Sequence, residues 1–402
     1  MLKSMPPFTR RRFIVMAGMA FIAGLFSHCD RHMQLKTFAR KIKGRLKKSR
    51  SFPPEAQRTV AVYPEGGELT SVERALNSRC SSDFDNDPTI HHWGMFDPGK
   101  KLSQEQIIEI IHISAIPRFS KYLCEIRNKS NTLIFVIDGK AEGFDREVLM
   151  IESGMQQQAV SLVCAALGVG SLIRNAGIDG TQLPDGKWCT AYMTINPMKQ
   201  SYGGSYWSIQ APATENAWKQ GNLPDPKRDG GMPLINALSG RLIPEKKVGV
   251  YEMAIDHLGQ ILWSAKGRTP HFYKSIPWGM TIPTWDGTQE ITSIFVCNQH
   301  GLFKYQNWVK NHPTHSLSQI SESNESLFKK MQSNFPEKRN FIYFVKNKPH
   351  MAALWECGYS LISALVQLKA LNIHADIIFP KQEFGRLFAG HPINIPSVMI
   401  TI

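Results

Sequence analysis

A single helical segment occurs twice in this chain, and that repeat limits the folds that the chain can adopt. The first copy spans residues 152–170, and the second spans residues 356–373. The gapless alignment pairs four positions: Glu152 with Glu356, Gly154 with Gly358, Ala166 with Ala370, and Leu167 with Leu371. One helix used twice predicts two similar halves.

Apolar residues recur at helical spacing in the first copy. Val160, Val163 and Leu167 fall on one wide face, so we predict a mostly buried helix. Gly168 and Gly170 are expected to end it, because glycine favours helix C-termini.

The flanking segments predict the other elements of the first half. Helices are expected at 69–84 and 102–114, the second with Ser103 as N-cap and Gln106 at the capping-box position. Buried strands are expected at residues 133–137, 171–173 and 191–195. Helices and strands in this order predict an α+β sandwich.

The second half repeats these parts in the same order. The matching pairs are the Ala-Leu-x-x-Arg pattern at 75–79 and 237–241, the helices at 102–114 and 254–265, and the strands at 134–136 and 294–296. A segment rich in Pro, Asn, Asp and Gly separates the halves. We therefore divide the chain into a leader (1–50), a first domain (51–215), a linker (216–230) and a second domain (231–402).

The net charge of +14 is concentrated at the N-terminus. Residues 1–50 hold thirteen Lys or Arg and one Asp, which leaves a charge of +2 for the rest of the chain. A nearly neutral folded part argues against nucleic acid as a partner. The seven cysteines show neither C-x-x-C nor His/Cys ligand spacing, so neither a disulfide framework nor a metal site is expected.

The leader has the features of an export signal. A Thr-Arg-Arg-Arg-Phe-Ile run at 9–14 opens an apolar stretch that ends at Phe26, shorter than the roughly 20 residues of a membrane span. It resembles a twin-arginine export signal, which implies a protein in the periplasm or anchored to the outer face of the inner membrane. An ordinary basic start before a short apolar helix is the alternative.

A strongly basic segment follows at residues 34–50. Leu35, Phe38 and Ile42 lie on one helical face, which is typical of an amphipathic helix on anionic lipid. A solvated spacer between the leader and the fold is the alternative.

Short motifs follow one another along both halves in a definite order. In the first half they are Ala75-Leu-x-x-Arg79-x-Ser81-Ser82 and Glu152-Ser-Gly…Gln158…Gly168-Val-Gly170. In the second half they are Gln-Ile-Leu-Trp-Ser-Ala-Lys-Gly at 260–267, Thr-Ile-Pro-Thr-Trp-Asp-Gly-Thr-Gln-Glu at 281–290 and Gly-Leu-Phe-Lys-Tyr…His-Ser-Leu at 301–317. Together they resemble the nitroreductase-like flavoprotein family, and most closely its thiazole/oxazole dehydrogenase branch.

The resemblance implies two tandem nitroreductase-like α+β domains that form a pseudo-dimer within one chain. Family members are dimers with two FMN sites at the subunit interface. An FMN-dependent oxidoreductase would transfer a hydride through the flavin N5, with a small-molecule substrate and NAD(P)H or another electron donor as partners. The motifs assign FMN binding to Arg79, Ser81, Ser82, Gln158, Gly168, Gly170, Arg241, Pro283, Thr284, Gly287 and Gln289. The chemistry agrees, since a phosphate needs Arg forks and hydroxyl donors, and a flat ring needs close backbone approach. No catalytic residue is assigned.

Departures from the family pattern support a rival hypothesis. Asp83 stands where a phosphate ligand is expected, Gly287 replaces the flavin-facing Asn, and the segment 372–374 replaces Gly-Leu-Gly. Arg79 and Ser81 are then only a helix end and its cap. The rival is a non-catalytic protein of the same fold that has lost flavin and binds a partner or a ligand.

Glu152 has two interpretations of its own. It is either a buried acid with a shifted pKa or a carboxylate that meets the dipole at the start of its helix.

Overall fold

Two long helices and two antiparallel sheets form the part of the chain that can be described. The computed structural model describes residues 101–166, 169–177, 179–197, 221–226, 234–238, 242–244, 253–268, 280–283, 290–309, 312–321 and 325–402. All of them belong to the compact unit Phe52–Ile402. The leader, the basic segment and the helix expected at 69–84 lie outside the described residues.

Helices and strands are numbered here in chain order within these ranges. The helices are α1 (Gln104–Ile113), α2 (Gly143–Ala166), α3 (Leu234–Leu238), α4 (Ile255–Lys266), α5 (Glu325–Asn334), α6 (Ala352–Ala370) and α7 (Gly385–Phe388). The strands are β1 (Cys124–Lys129), β2 (Thr132–Ile137), β3 (Val169–Asn175), β4 (Thr181–Gln182), β5 (Trp188–Pro197), β6 (Gly221–Asn222), β7 (Thr292–Asn298), β8 (Gly301–Val309), β9 (His312–Ser321), β10 (Phe341–Lys346), β11 (Asp376–Ile378) and β12 (Val398–Thr401). The α+β prediction is confirmed. None of the helices in the described ranges is both long enough and apolar enough to cross a membrane.

The local signals at α1 are confirmed in detail. The Ser103 hydroxyl accepts a hydrogen bond from the Gln106 amide at 3.3 Å, and the Gln106 side chain accepts one from the Ser103 amide at 2.8 Å. This capping box satisfies two N–H groups that the first helical turn leaves without partners. Ile107 and Ile110 are buried on the inner face.

Both sheets are antiparallel, and four strands follow the same order in each of them. The first sheet has the order β1-β2-β5-β3, with β4 beside β5. The second has the order β11-β12-β10-β7-β8-β9-β6. In the first sheet β3 and β5, which both follow α2 in the chain, continue into β2 and β1. In the second sheet β11 and β12, which both follow α6, continue into β10 and β7.

This order corrects one sequence-based equivalence. The strand at 134–136 was aligned with 294–296, but β2 occupies the place of β10, directly before the long helix, and β1 occupies the place of β7. The prediction was wrong because β1 and β2 form a direct hairpin, whereas β8, β9 and α5 intervene between β7 and β10. The inserted hairpin hides the correspondence from a gapless comparison.

The long helices lie between the sheets. Helix α2 packs on strands of the first sheet and α6 on β10 and β7 of the second, while α2 and α6 pack on each other. One continuous apolar cluster runs through both halves. A second, smaller cluster fills the other face of the second sheet, beneath α5 and α7.

The crossing of α2 and α6 brings backbone against backbone. A Cβ on Gly154 would lie 2.2 Å from the carbonyl oxygen of Trp355, and a Cβ on Gly358 would lie 2.2 Å from that of Ile151. Both distances are far inside van der Waals contact, so only glycine fits at either position. The contacts are reciprocal in the alignment of the two copies, in which Ile151 corresponds to Trp355.

Buried polar groups also join the two helices. The Tyr359 hydroxyl donates to the Gln157 carbonyl oxygen at 2.5 Å, and the Gln157 amide donates to the Ser153 hydroxyl at 3.1 Å. Ser153 lies 2.5 Å from the Thr190 hydroxyl on β5. Each group in this chain has a partner, so its burial is compensated.

We expect Gly154→Ala and Gly358→Ala each to destabilise the protein by roughly 2 kcal/mol or more, because the added methyl overlaps the facing backbone. In an ordinary helix the same change would stabilise by about 0.5–1 kcal/mol. Urea denaturation of the purified variants measures the free energy of unfolding. Gly259→Ala in α4 is the matched control, since its methyl would meet only the His315 side chain at 3.3 Å and Leu223 at 3.5 Å among the nearest side chains. Equal losses at Gly259 and Gly154 would contradict the crossing as the cause.

Candidate functional site

Gln158 lies where the two halves meet. Its side chain is wholly buried on α2, and its amide donates to the Thr281 carbonyl at 3.2 Å and to the Ser363 hydroxyl on α6 at 3.3 Å. One side chain of the first half therefore contacts two separate segments of the second.

The carbonyl oxygen of the same side chain is enclosed, and it has no hydrogen-bond partner among the described residues. Exchanging the amide nitrogen and oxygen would place two carbonyl oxygens face to face at Thr281, so the orientation is fixed by its neighbours. A buried acceptor without a donor costs about 1–3 kcal/mol. Such an atom is suited to a ligand that brings an N–H or O–H group.

Thr281 and Pro283 belong to a short buried segment held against the end of α4. The Thr281 amide donates to the Gly267 carbonyl at 3.1 Å, and its hydroxyl donates to the Trp263 carbonyl at 3.0 Å. Pro283 is buried two residues further on. The Gln158 side chain thus contacts the short segment that contains Pro283.

Gly170 is near the same helix, at the start of β3. The hydroxyl of the next residue, Ser171, lies 2.9 Å from that of Ser161, which is less than one helical turn after Gln158. Gln158, Gly170 and Pro283 are the predicted FMN residues that can be placed. The others lie outside the described residues: Arg79, Ser81, Ser82, Gly168, Arg241, Thr284, Gly287 and Gln289.

Glu152 holds the loop between α1 and β1 in place through hydrogen bonds. Its carboxylate accepts hydrogen bonds from the backbone amides of Phe119 and Ser120, the latter at 2.7 Å. The helix starts at Gly143, so Glu152 is not in the first turn and the helix-dipole interpretation is wrong. Burial raises the pKa of Glu152, and the two amide donors and Arg118 oppose that rise.

Glu356, which aligns with Glu152, binds an ammonium group instead. Lys266 at the end of α4 donates to the Glu356 carboxylate at 2.7 Å, and to both oxygens of Thr292 at 2.6 Å. Lys266 and Glu356 are both buried, and their opposite charges, together with these hydrogen bonds, offset the cost of that burial. Equivalent positions of the two long helices therefore hold different segments in place.

Sequence reasoning missed three polar residues of this region, namely Lys266, Thr281 and Ser363. Lys266 was matched only as part of a motif, although a lysine that ends a helix as apolar as 255–266 carries a signal of its own. The roles of Thr281 and Ser363 depend on contacts across more than a hundred residues of sequence, which no local pattern reveals.

A hollow of about 340 Å³ lies elsewhere, on the face of the first sheet turned away from α2. Its lining consists of Arg127, Ile134, Leu183, Pro184, Asp185 and Tyr192. The guanidinium of Arg127 is already paired with Asp185 at 2.6 Å and with Glu125 at 2.7 Å. The hollow contains none of the predicted site residues, and we assign it no function. Within the described ranges, no three His, Cys, Asp or Glu side chains form a metal-binding group.

Comparison with known proteins finds solved structures that are similar to this chain. No protein-family model and no curated protein sequence matches the chain. A provisionally assigned nitroreductase from Ralstonia eutropha JMP134 is similar over 50% of this chain and 97% of its own, with 16% identity and a TM-score of 0.34. Another, from Anabaena variabilis ATCC 29413, is similar over 67% of this chain and 68% of its own, with 11% identity and a TM-score of 0.45.

The raised pKa of Glu152 predicts how stability depends on pH. Because the folded pKa lies above its usual value of 4.5, the stabilising contribution is complete below that value and is lost as pH rises through the folded pKa. We expect Glu152→Gln to reduce this dependence and keep stability near that of the parent protein, since the amide oxygen still accepts from the backbone. Glu152→Ala should cost about 2 kcal/mol, because two amides lose their acceptor.

Urea denaturation between pH 4.5 and 8 measures both variants against the parent protein. A pH dependence that is unchanged in Glu152→Gln would rule out Glu152 as its source. An equal loss of unfolding free energy in Glu152→Gln and Glu152→Ala would show that the two backbone hydrogen bonds do not contribute to stability.

Proposed function

We propose that this protein is a flavoprotein of the nitroreductase-like type, in which two tandem halves form a pseudo-dimer and create one FMN site between them. The observation that carries the proposal is Gln158, which contacts both Thr281 and Ser363 of the other half. Its buried side-chain oxygen has no donor among the described residues. The ordered motifs of both halves give the expectation of flavin, and this orphaned acceptor supplies a physical test of it.

The helix crossing supports the tandem arrangement. In an interface between two copies related by a two-fold axis, residue i contacts residue j and j contacts i. Gly154 meets Trp355 while Gly358 meets Ile151, and these are equivalent pairs in the alignment. The shared strand order after α2 and after α6 agrees with the same duplication.

Differences between the halves favour one site rather than two. Ile362 occupies the position that corresponds to Gln158, so the second helix offers no amide there. His374 occupies the position that corresponds to Gly170, and its Nδ1 lies 2.8 Å from the carbonyl oxygen of Pro244. A flavin that needs close backbone approach would therefore meet a side chain at this position of the second half.

The residues that can be placed fit a flavin at its polar edge. The enclosed Gln158 oxygen suits a ring N–H, and the buried segment at Thr281 and Pro283 sets one wall of the site. Gly170 lies at the start of β3, and a glycine there would permit close backbone approach by the ring. Phosphate binding falls to Arg79, Ser81 and Ser82 in this proposal. Bound FMN would supply hydride transfer, and the protein would bind it, orient it and exclude water.

A flavin-free binding protein is the second candidate. The specific observation in its favour is the hydrogen bond between His374 and the carbonyl oxygen of Pro244, which places a side chain at the position that corresponds to Gly170. In this candidate, a substitution of the same kind in the first half has removed the first site as well.

We expect the purified protein to carry a yellow chromophore absorbing near about 450 nm, or to gain it with added FMN. Gln158→Leu should weaken FMN binding about tenfold, because the side chain keeps its volume and loses its acceptor. Absorbance and quenching of flavin fluorescence measure the affinity. Gln156→Leu is the matched control, since that amide donates to the Ser114 carbonyl at 2.8 Å and lies off the site. Colourless protein that refuses FMN would favour the second candidate.

Export by the twin-arginine route, with NAD(P)H or another donor outside the cytoplasm, is part of the proposal. Replacing Arg10 and Arg11 by Lys should retain the protein in the cytoplasm, because the resemblance rests on the consecutive arginines. Cell fractionation measures this. Replacing Lys47 and Lys48 by Gln is the control for the basic segment, which should change membrane association and leave export intact. Normal export without the arginines would exclude the signal.

A further inference from the structure

We propose that Arg268 and Trp308 form a binding subsite for the carboxylate group of a small organic ligand. The inference does not depend on flavin binding, although Arg268 pairs through its backbone with Met280, the residue before Thr281. The subsite is therefore next to the segment that Gln158 contacts.

Arg268 is a buried cation, and no carboxylate among the described residues forms an ion pair with it. The residue is 8% exposed, and among the described residues no oxygen accepts a hydrogen bond from its guanidinium. Its Nε is enclosed and unpartnered. Arginine carries five N–H donors and stays protonated at neutral pH, so a buried side chain of this kind needs acceptors from elsewhere.

Trp308 covers one face of the guanidinium. The Arg268 Cζ lies 4.5 Å from the centre of the indole ring. The pairing of β8 with β9 shifts register between Gln306 and Trp308, and such a bulge turns the side chain away from the regular alternation. The ring offsets part of the cost of burying the charge, but it accepts no hydrogen bond in the plane of the fork. The plane is left for a ligand.

The neighbouring groups do not neutralise Arg268. Lys266 is paired with Glu356, so this carboxylate is already used. Burial raises the pKa of Tyr305, which keeps its phenol neutral, and the Tyr305 hydroxyl lies 2.9 Å from Nδ1 of His315. Burial also lowers the pKa of Arg268 to about 10, which still leaves it charged at neutral pH. Among the described residues the site therefore offers one net positive charge.

A single planar cation favours a carboxylate over a phosphate. The two oxygens of a carboxylate match the parallel N–H bonds of a guanidinium fork and carry one negative charge. A phosphate monoester carries nearly two at neutral pH, and the second would stay uncompensated in a buried place. The expected ligand is thus a monocarboxylate, with an apolar or aromatic body suited to the indole beside it.

The test is thermal unfolding of the full chain with increasing sodium benzoate, at an ionic strength held constant with sodium chloride. We expect a saturable rise in Tm for the parent protein, since a ligand that binds only the folded state stabilises it. Arg268→Lys should weaken the apparent affinity about tenfold, because it keeps the charge and loses the fork. Arg268→Met should remove the response and leave Tm without benzoate unchanged or raised, since it removes an unpaired buried charge.

The matched control is Arg127→Met, which removes a surface arginine already paired with Glu125 and Asp185 and should keep the full benzoate response. No saturable response of the parent protein would overturn the proposal, as would an unchanged response in Arg268→Lys and Arg268→Met. Sodium phosphate that stabilises as strongly as benzoate would overturn the choice of carboxylate. The flavin absorbance is read in the same samples, so loss of flavin binding and loss of benzoate binding are seen separately.

Discussion

The contact on which this fold depends is the crossing of α2 and α6 at two glycines. Nothing larger than hydrogen fits between the backbones at Gly154 and Gly358, so the helices approach more closely than side-chain packing would allow. That approach fixes the position of Gln158 relative to Thr281 and that of Tyr359 relative to Gln157. Both sheets pack against this helix pair, and the apolar cluster around it runs through both halves.

The two long helices show how equivalent positions diverge within one polypeptide. Glu152 and Glu356 occupy the same place in the alignment, and both are buried carboxylates. The first binds backbone amides and the second binds Lys266, so each fixes a different neighbour. A substitution in a homodimer changes both sites at once, whereas in a chain that carries both copies it changes only one. Divergence of this kind is what the proposed single site next to Gln158 would require.

Local signals predicted the local structure. The Ser103 and Gln106 pattern specified the start of α1, and apolar periodicity specified α2, α4 and α6, because these features act within a few residues. Asn372, which replaces a glycine after α6, adopts φ 57° and keeps the left-handed turn, since Asn tolerates that conformation. The site was less predictable. Its cross-half contacts join residues such as Gln158 and Ser363, which only the tertiary fold brings together. The predicted equivalence of β2 and β7 failed for a related reason, since β8, β9 and α5 separate β7 from β10.

The second apolar cluster, beneath α5 and α7, has a consequence for how the molecule opens. It leaves the second sheet covered on both faces, while Tyr192 on the outer face of the first sheet is 36% exposed. Amide hydrogens in β7 and β10 are therefore shielded from solvent until the whole domain unfolds, whereas those of β1 and β4 exchange through small local fluctuations. Tolerance of insertions and sensitivity to proteases should follow the same division, and both should be greater in the first sheet than in the second.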